Sequence, residues 1–218
     1  MKKKVLFVIN NLNCGGAEKA LISLLETIDY SKYDVDLLLF KQEGMFMSKI
    51  PMEVTLLPEP ENYKYFDMSI KTAILGLIKK RRIDIAVARI AALYVFKTEK
   101  SKAVIEQKVW KYLSKSFSDL QTEYDVAIGY LEKNPVYFCV DKVNAKKKIG
   151  WIHNDYEKIG MDKKIDSRYF SKLDYVFTVS EECLKVLKRI FPQYIDKLKL
   201  MHNIISAKTI EKLALEKV

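Results

Sequence analysis

The chain has 218 residues and is 49% hydrophobic, so it is long enough and apolar enough to bury at least one core. Lys and Arg outnumber Asp and Glu by 38 to 28, and the net charge of +10 favours an anionic partner: nucleic acid, an anionic membrane surface or a phosphorylated small molecule. The longest apolar runs, residues 73–78 and 91–96, are far shorter than the roughly 18 residues of a membrane-spanning helix, so none is expected.

The elements predicted in chain order alternate between short aliphatic or β-branched runs and longer segments of helical period. The predicted strands are residues 5–10, 35–40, 54–57, 83–88, 125–130, 148–153, 175–180 and 199–201. The predicted helices are residues 17–28, 68–81, 104–120, 136–143, 168–173 and 181–191, and a last helix begins near Ala207. This alternation is typical of α/β proteins, so we expect one domain with a doubly wound, mostly parallel sheet of eight strands flanked by helices.

Two glycines, Gly15 and Gly16, stand between the first predicted strand and the first predicted helix. Loops that follow parallel strands meet at the carboxyl edge of the sheet, and a helix that starts there points unpaired N–H groups at a ligand. The stretch matches neither G-x-G-x-x-G nor a Walker loop, so the motif alone does not name a nucleotide. The pair predicts either an anion-binding helix start or a turn in which glycine permits a positive φ.

The chain has two histidines, and His153 ends an apolar predicted strand that is followed at once by polar residues. A histidine at this place either serves the ligand edge of the sheet or has a structural role, and both interpretations stay open. His202 ends the last predicted strand, where capping of the turn is the favoured interpretation.

Residues 108–120, KVWKYLSKSFSDL, combine lysines with apolar and aromatic side chains at helical spacing. Such a helix either lies on an anionic bilayer or packs into the core with its basic side in solvent, and the core interpretation is favoured. The basic run KKRR at residues 79–82 closes the preceding predicted helix, where cations suit the helix dipole. It is short for a nucleic-acid-binding stripe, and no nucleic-acid motif accompanies it.

Five segments resemble, in order and spacing, the N-terminal half of the family 4 glycosyltransferases, which are retaining sugar transferases of the GT-B fold. The segments are VLFVINNLNCGGAEKALISLL, DVAIGYLEKNP, KIGWIHNDY, DYVFTVSEECLKVL and LMHNIISAKTIEKLA. The resemblance implies a Rossmann-like N-terminal domain over residues 1–205, one half of a GT-B fold that holds the acceptor. It also implies that residues 206–218 begin an interdomain linker helix and that the donor-binding C-terminal domain is absent from this chain.

The resemblance assigns roles to residues of the glycine loop. It makes Gly15 and Gly16 the loop that approaches the donor diphosphate. Glu18 and Lys19 lie beside this loop, and the resemblance implies that they are near the acceptor.

The resemblance also implies roles for residues that follow later predicted strands. His153 matches the family histidine that faces the transferred sugar, and the resemblance implies that it forms a hydrogen bond there. Asp155 follows at the same edge, as a residue for the acceptor or the sugar. Ser180, Glu181 and Asn203 match positions at the cleft and hinge, although HNII stands here where many family members carry P-N-G.

The resemblance therefore predicts the acceptor-binding half of an enzyme that transfers a sugar from a nucleotide-sugar donor to a saccharide or lipid-linked acceptor with retention. The bacterial surface-polysaccharide type is the closest match, and neither a metal nor another cofactor is expected. The cations that neutralise the leaving diphosphate belong to the second domain of the family. The chain alone is therefore expected to show little or no turnover.

Three scattered cysteines without metal-ligand spacing favour a reducing cytoplasm, and we expect the protein there. An anionic membrane surface, at the inner face of the cell membrane, is a hypothesis for a further partner, whereas nucleic acid is not expected. Two alternative functions stay open at this point. One is a noncatalytic, basic, Rossmann-like binding module, and the other is half of an inverting GT-B transferase or of a sugar-nucleotide epimerase.

Overall fold

The computed structural model describes residues 1–204, and within them one sheet contains seven strands, all parallel, in the order β3-β2-β1-β4-β5-β6-β7. The strands are β1 Lys3–Ile9, β2 Tyr33–Leu39, β3 Thr55–Leu56, β4 Leu120–Gly129, β5 Val143–Ile152, β6 Tyr175–Thr178 and β7 Leu198–Leu200. The order runs outward from β1 in both directions, which is the doubly wound arrangement. The predicted α/β class is therefore confirmed.

The connections between strands are mostly helical. The helices are α1 Gly16–Leu25, α2 Ile70–Lys79, α3 Ile83–Thr98, α4 Lys102–Leu113, α5 Asn134–Lys142, α6 Tyr156–Ile159, α7 Lys163–Phe170 and α8 Glu181–Ile190. Short 3₁₀ turns lie at Met47–Lys49, Tyr63–Phe66, Ser114–Ser116 and Pro192–Tyr194. Parallel neighbours require crossover connections of this kind, so the fold is Rossmann-like.

One predicted strand was wrong, because residues 83–88 begin helix α3 instead. Ile85 and Ala92 are buried while Ile83, Val87 and Ile90 are exposed, and this spacing follows a helical period. The segment is apolar on both its buried and its exposed side. The helical period of its apolar residues is therefore not visible in a stretch of only six residues. The sheet therefore has seven strands within the described residues instead of eight, and it is wholly parallel.

Several boundaries also differ from the prediction. The helix predicted at 104–120 ends at Leu113, and Leu120 already belongs to β4. Strand β5 and helix α7 begin at Val143 and Lys163, five residues before the predicted starts at 148 and 168. The helix predicted near Ala207 lies outside the described residues.

Strand β1 is buried on both faces. Leu6 and Val8 pack into a core shared with α4 and α5, whereas Val5, Phe7 and Ile9 pack into a second core with α1. Because helices cover both faces of the central strands, the loops at the carboxyl ends of these strands are where the sheet can meet a ligand.

The aromatic side of residues 108–120 belongs to the core. Trp110 and Phe117 are almost fully buried, and their rings lie 5.6 Å apart between centroids. Lys108 and Lys111 of the same helix stay exposed. The favoured core interpretation of this segment is confirmed, so Trp110 and Phe117 are not available to a bilayer.

Helix α5 packs unusually close to β4 because the strand ends in a glycine. A Cβ atom on Gly129 would lie 2.5 Å from Cα of Val136, well inside any normal contact. The close approach sets the start of α5 at the carboxyl edge, next to the end of β4.

A buried carboxylate joins four helices. Asp166 of α7 is 2% exposed, and it accepts hydrogen bonds from the hydroxyls of Tyr137 on α5 and Tyr156 on α6 and from Nε2 of Gln107 on α4, the last at 2.8 Å. Burial raises the pKa of this carboxyl group, and the three hydrogen bonds oppose that effect. This cluster fixes the helices that cover β4 and β5.

Candidate functional site

A cavity of about 420 Å³ opens at the carboxyl edge of the sheet, beside the point between β1 and β4 where the strand order reverses. Its walls come from the first turn of α1, one side chain of α4 and the residues that follow β1, β4, β5 and β7. A larger and shallower hollow of about 740 Å³ lies along α7 and α8, away from these strand ends. Ligands of open α/β sheets bind at the reversal point, so the smaller cavity is the candidate site.

The two glycines of the α1 wall have different surroundings. Gly15 has extended backbone at φ −152°, and neither glycine has a positive φ, so the interpretation of the pair as a positive-φ turn was wrong. A Cβ atom on Gly15 would lie 2.1 Å from Oε2 of Glu18, whereas one on Gly16 would meet no atom within 4 Å. Gly15 thus makes room for the Glu18 carboxylate, and Gly16 leaves the cavity wall bare.

Two helices start at this cavity without a side-chain cap. Gly15 precedes α1 and Lys133 precedes α5, and neither helix start receives a side-chain hydrogen bond from the described residues. In contrast, Asp155, Asp162 and Ser180 cap α6, α7 and α8. Uncapped helix starts carry partial positive charge and free N–H groups, so each of the two starts favours an anion, although the carboxylates of Glu18, Glu106 and Glu132 also line the cavity.

Lys133 holds a strained position on the cavity wall. Its φ of 67° is uncommon for a residue with a side chain, and strain of this kind is concentrated at functional sites. Its ammonium group forms an ion pair with Glu106 of α4, with Nζ and Oε2 2.5 Å apart. An anion in the cavity can therefore meet the Lys133 ammonium only in competition with Glu106.

The His153 ring is held by two aromatic side chains. It stacks on Trp151 at 5.8 Å between centroids and lies 4.8 Å from the Tyr130 ring. Burial lowers the pKa of His153 to about 4, opposed in part by a hydrogen bond to the Tyr130 backbone. Nε2 is buried and has no hydrogen-bond partner among residues 1–204. Because its pKa is about 4, the ring is neutral near pH 7.

Glu132 connects the loop after β4 to the loop after β5. Its side chain is buried, and the carboxylate accepts hydrogen bonds from the backbone N–H of His153 at 3.1 Å and from Nδ2 of Asn154. Both bonds hold the residues that follow β5 against the cavity. Glu132 therefore positions the His153 backbone.

The structure brings together five of the residues that the sequence nominated. They are Gly15, Gly16, Glu18, His153 and Asn203. Four others do not line this cavity: Lys19, Asp155, Ser180 and Glu181. Asp155 and Ser180 are instead engaged as helix caps, and Lys19 and Glu181 are exposed elsewhere on α1 and α8.

Five polar lining residues were not foreseen: Asn10, Glu106, Glu132, Lys133 and Asn154. Asn10, Glu132 and Asn154 directly follow predicted strands or lie within two residues of their ends, so the argument that selected His153 could have selected them too. Glu106 lies in the middle of α4, and only tertiary packing brings it here. Within residues 1–204, no three His, Cys, Asp or Glu side chains are grouped to hold a metal ion.

The class that fold and site define is a Rossmann-like, all-parallel α/β domain with an open cavity at its reversal point. Comparison with protein-family models found no family that matches the chain, and comparison with curated proteins found no significant relative. A fold of this class supports many activities, so the function is argued from the cavity itself.

The buried His153 ring predicts a specific loss of stability in acid. Its pKa is about 4 in the folded protein and near 6.5 when unfolded, so its contribution to stability is present above pH 6.5 and is lost as pH falls toward 4. Between pH 7 and pH 5 this one group should lower the free energy of unfolding by about 2 kcal/mol. Urea denaturation at both pH values measures the loss, and His153→Gln should remove it.

The exposed His202 provides the matched control, because His202→Gln should leave the difference between the two pH values as it is in the unmodified protein. If His153→Gln left the difference in the free energy of unfolding between pH 7 and pH 5 unchanged, His153 would not be the group responsible for it.

Proposed function

We propose that this domain is the acceptor-side half of a retaining, nucleotide-sugar-dependent glycosyltransferase of the GT-B fold. The observation that carries the proposal is the convergence of Gly15, Gly16 and the His153 ring on one cavity at the carboxyl edge. A bare helix start recognises phosphate, and a neutral imidazole recognises a hydroxyl group. A nucleotide sugar carries both groups next to each other, and the five segments that resemble family 4 glycosyltransferases support the same class.

The ionisation of His153 argues against this ring as the general base of an inverting transferase. An inverting transferase needs a general base whose pKa lies near the working pH, because the base must remove the proton of the acceptor hydroxyl. The pKa of His153 is about 4, so its ring is a weak base. In the proposal, Nε2, which is buried among residues 1–204, turns toward the cavity when the donor binds and accepts a hydrogen bond from a hydroxyl of the transferred sugar. That bond strengthens as positive charge develops on the sugar ring.

Glu18 and Lys133 set the electrostatics that a donor diphosphate would meet. The Glu18 carboxylate lies beside Gly15 at the start of α1, so the incoming diphosphate displaces it from the positive end of the helix. Glu18 is then free to accept a hydrogen bond from an acceptor hydroxyl. The ammonium of Lys133, already paired with Glu106, does not suffice for a leaving diphosphate, so the proposal includes a second domain that supplies further cations.

The proposal is tested by turnover. Protein expressed from its complete reading frame is incubated with uridine and guanosine diphosphate sugars and with lipid-linked saccharide acceptors. We expect release of nucleoside diphosphate together with a glycoside that keeps the anomeric configuration of the donor. A product of inverted configuration would overturn retention, and absence of both donor binding and release would overturn the transferase proposal.

A single substitution tests whether the nucleotide sugar binds at the cavity wall formed by the start of α1. Gly16→Val adds a side chain where a Cβ atom meets nothing in the protein, so the fold should be preserved while the diphosphate path is narrowed. We expect the KM for the nucleotide sugar to rise about tenfold, the equivalent of ~1.4 kcal/mol. Lys19→Ala, on the exposed side of the same helix, is the matched control and should leave KM unchanged.

A further inference from the structure

Helix α3 exposes a row of large apolar side chains on its outer side. Ile83, Val87, Ile90 and Tyr94 follow one another at intervals of four, three and four residues, which places them along one side of the helix. Each of the four is more than half exposed, and Tyr94 is 72% exposed. We call these four residues the α3 stripe. Apolar side chains exposed singly are ordinary, but a continuous row of them marks an interaction surface.

The neighbouring helix α2 also exposes apolar side chains. Leu75 and Ile78 of α2 are exposed as well, and α2 packs directly against α3. The two helices share a small core of their own, separate from the two cores on the sheet. The core residues are Tyr65, Ala73, Leu77, Ile85 and Ala86. The two helices therefore expose apolar side chains although their own contacts are already satisfied.

The same two helices concentrate positive charge. Residues 70–98 contain seven Lys or Arg and a single Asp, which gives them +6 of the +10 of the whole chain. At the turn between the helices, Lys80 and Arg82 form ion pairs with acidic side chains, whereas Lys79 and Arg81 are exposed. Lys79 and Arg81, at the N-terminal end of the stripe, are thus cations without an ion pair among residues 1–204, whereas Asp84 and Glu61 are engaged by Arg82 and Lys80.

Charge and exposure together decide which partner fits. The four-three-four spacing suits a helix of a second copy, but that arrangement would bring two segments of +6 together. Duplex nucleic acid suits the charge but leaves the apolar stripe without a partner, because such interfaces are polar. An anionic bilayer accepts both features, since apolar side chains enter the headgroup region while Lys and Arg meet the lipid phosphates.

We propose that the α3 stripe docks on an anionic membrane surface, with α3 lying in the plane of the interface and Lys79 and Arg81 against the lipid headgroups. The surface differs from residues 108–120, where Trp110 and Phe117 are buried. No helix within residues 1–204 combines the length and the hydropathy that crossing a bilayer requires. This inference does not depend on the proposed transferase activity.

Vesicle flotation tests the proposal with two lipid compositions, phosphatidylcholine alone and phosphatidylcholine with about one third phosphatidylglycerol. We expect the protein to float with the anionic vesicles and not with the neutral ones. The triple variant Val87→Ser/Ile90→Ser/Tyr94→Ser should lower binding to anionic vesicles more than tenfold. The charge variant Lys79→Glu/Arg81→Glu should do the same.

Matched control variants change equally exposed side chains elsewhere. Met52→Ser/Ile195→Ser removes exposed apolar groups, and Lys163→Glu/Lys164→Glu reverses exposed charges on α7, and both should float like the unmodified protein. Equal and negligible flotation with both lipid compositions would overturn the proposal. A dimer seen by light scattering that dissociates in the triple variant would also overturn it. Binding to duplex DNA without binding to vesicles would overturn it as well.

Discussion

Replacing Asp166 by alanine is expected to lower the free energy of unfolding by about 3 to 5 kcal/mol. The carboxylate is buried, and the variant leaves the hydroxyls of Tyr137 and Tyr156 and the Gln107 amide without their shared acceptor. Each buried donor without a partner costs about 1 to 3 kcal/mol. Urea denaturation followed by tryptophan fluorescence gives the change, because Trp110 packs in the core that α4 and α5 share.

Asp119→Ala is the matched control, since it removes a carboxylate whose ion pair with Lys142 lies at the surface. It should lower the free energy of unfolding by less than about 1 kcal/mol. Asp166→Asn keeps one acceptor oxygen and most of the side-chain volume, so its loss of stability should fall between those of Asp119→Ala and Asp166→Ala. Similar losses for Asp166→Ala and Asp119→Ala would show that the cluster does not hold the four helices together.

The strands at the centre of the sheet were predictable because they are buried on both faces. Burial on both faces produces continuous aliphatic runs, and this explains why the segments at β1, β2 and β4 stand out in the sequence. The same rule failed at residues 83–88, where α3 is apolar on its buried side and again on the α3 stripe. A helix with two apolar sides gives a run that resembles a buried strand.

The positions of the site residues were predictable only in part. The rule that ligands meet the carboxyl ends of strands selected His153, the family resemblance selected Asn203, and both line the cavity. The resemblance also selected Asp155 and Ser180, which cap helices instead. A short polar side chain after a strand suits a ligand site and a helix cap equally well, so the sequence alone does not separate the two roles.

Residues that reach the cavity from other elements could not be predicted from strand ends. Glu106 lies within α4, and its ion pair with Lys133 exists because α4 packs beside the start of α5. The role of Gly15 was likewise hidden, since its missing Cβ atom accommodates the Glu18 carboxylate three residues later. These features depend on side-chain packing, which the pattern of apolar residues does not encode.

Under the proposed transferase function, replacing His153 by alanine is expected to lower kcat for sugar transfer about 10²-fold in the protein expressed from its complete reading frame. The imidazole is neutral, is held by Trp151 and Tyr130, and has a buried Nε2 without a partner among the described residues. In the proposed function, Nε2 turns toward the cavity and its hydrogen bond to the sugar stabilises the transition state. Initial rates at saturating donor give kcat.

The variant His153→Gln separates this role from a purely structural one. Glutamine keeps a hydrogen-bond acceptor but loses the stacked ring, so it should recover at least part of kcat even though it packs less well on Trp151. His202→Ala, at an exposed position, should have no effect on kcat. If alanine and glutamine at 153 reduced kcat equally while both proteins kept native circular dichroism, an accepting Nε2 would not be the source of the rate. The cavity would then recognise its ligand through the helix starts at Gly15 and Lys133 alone.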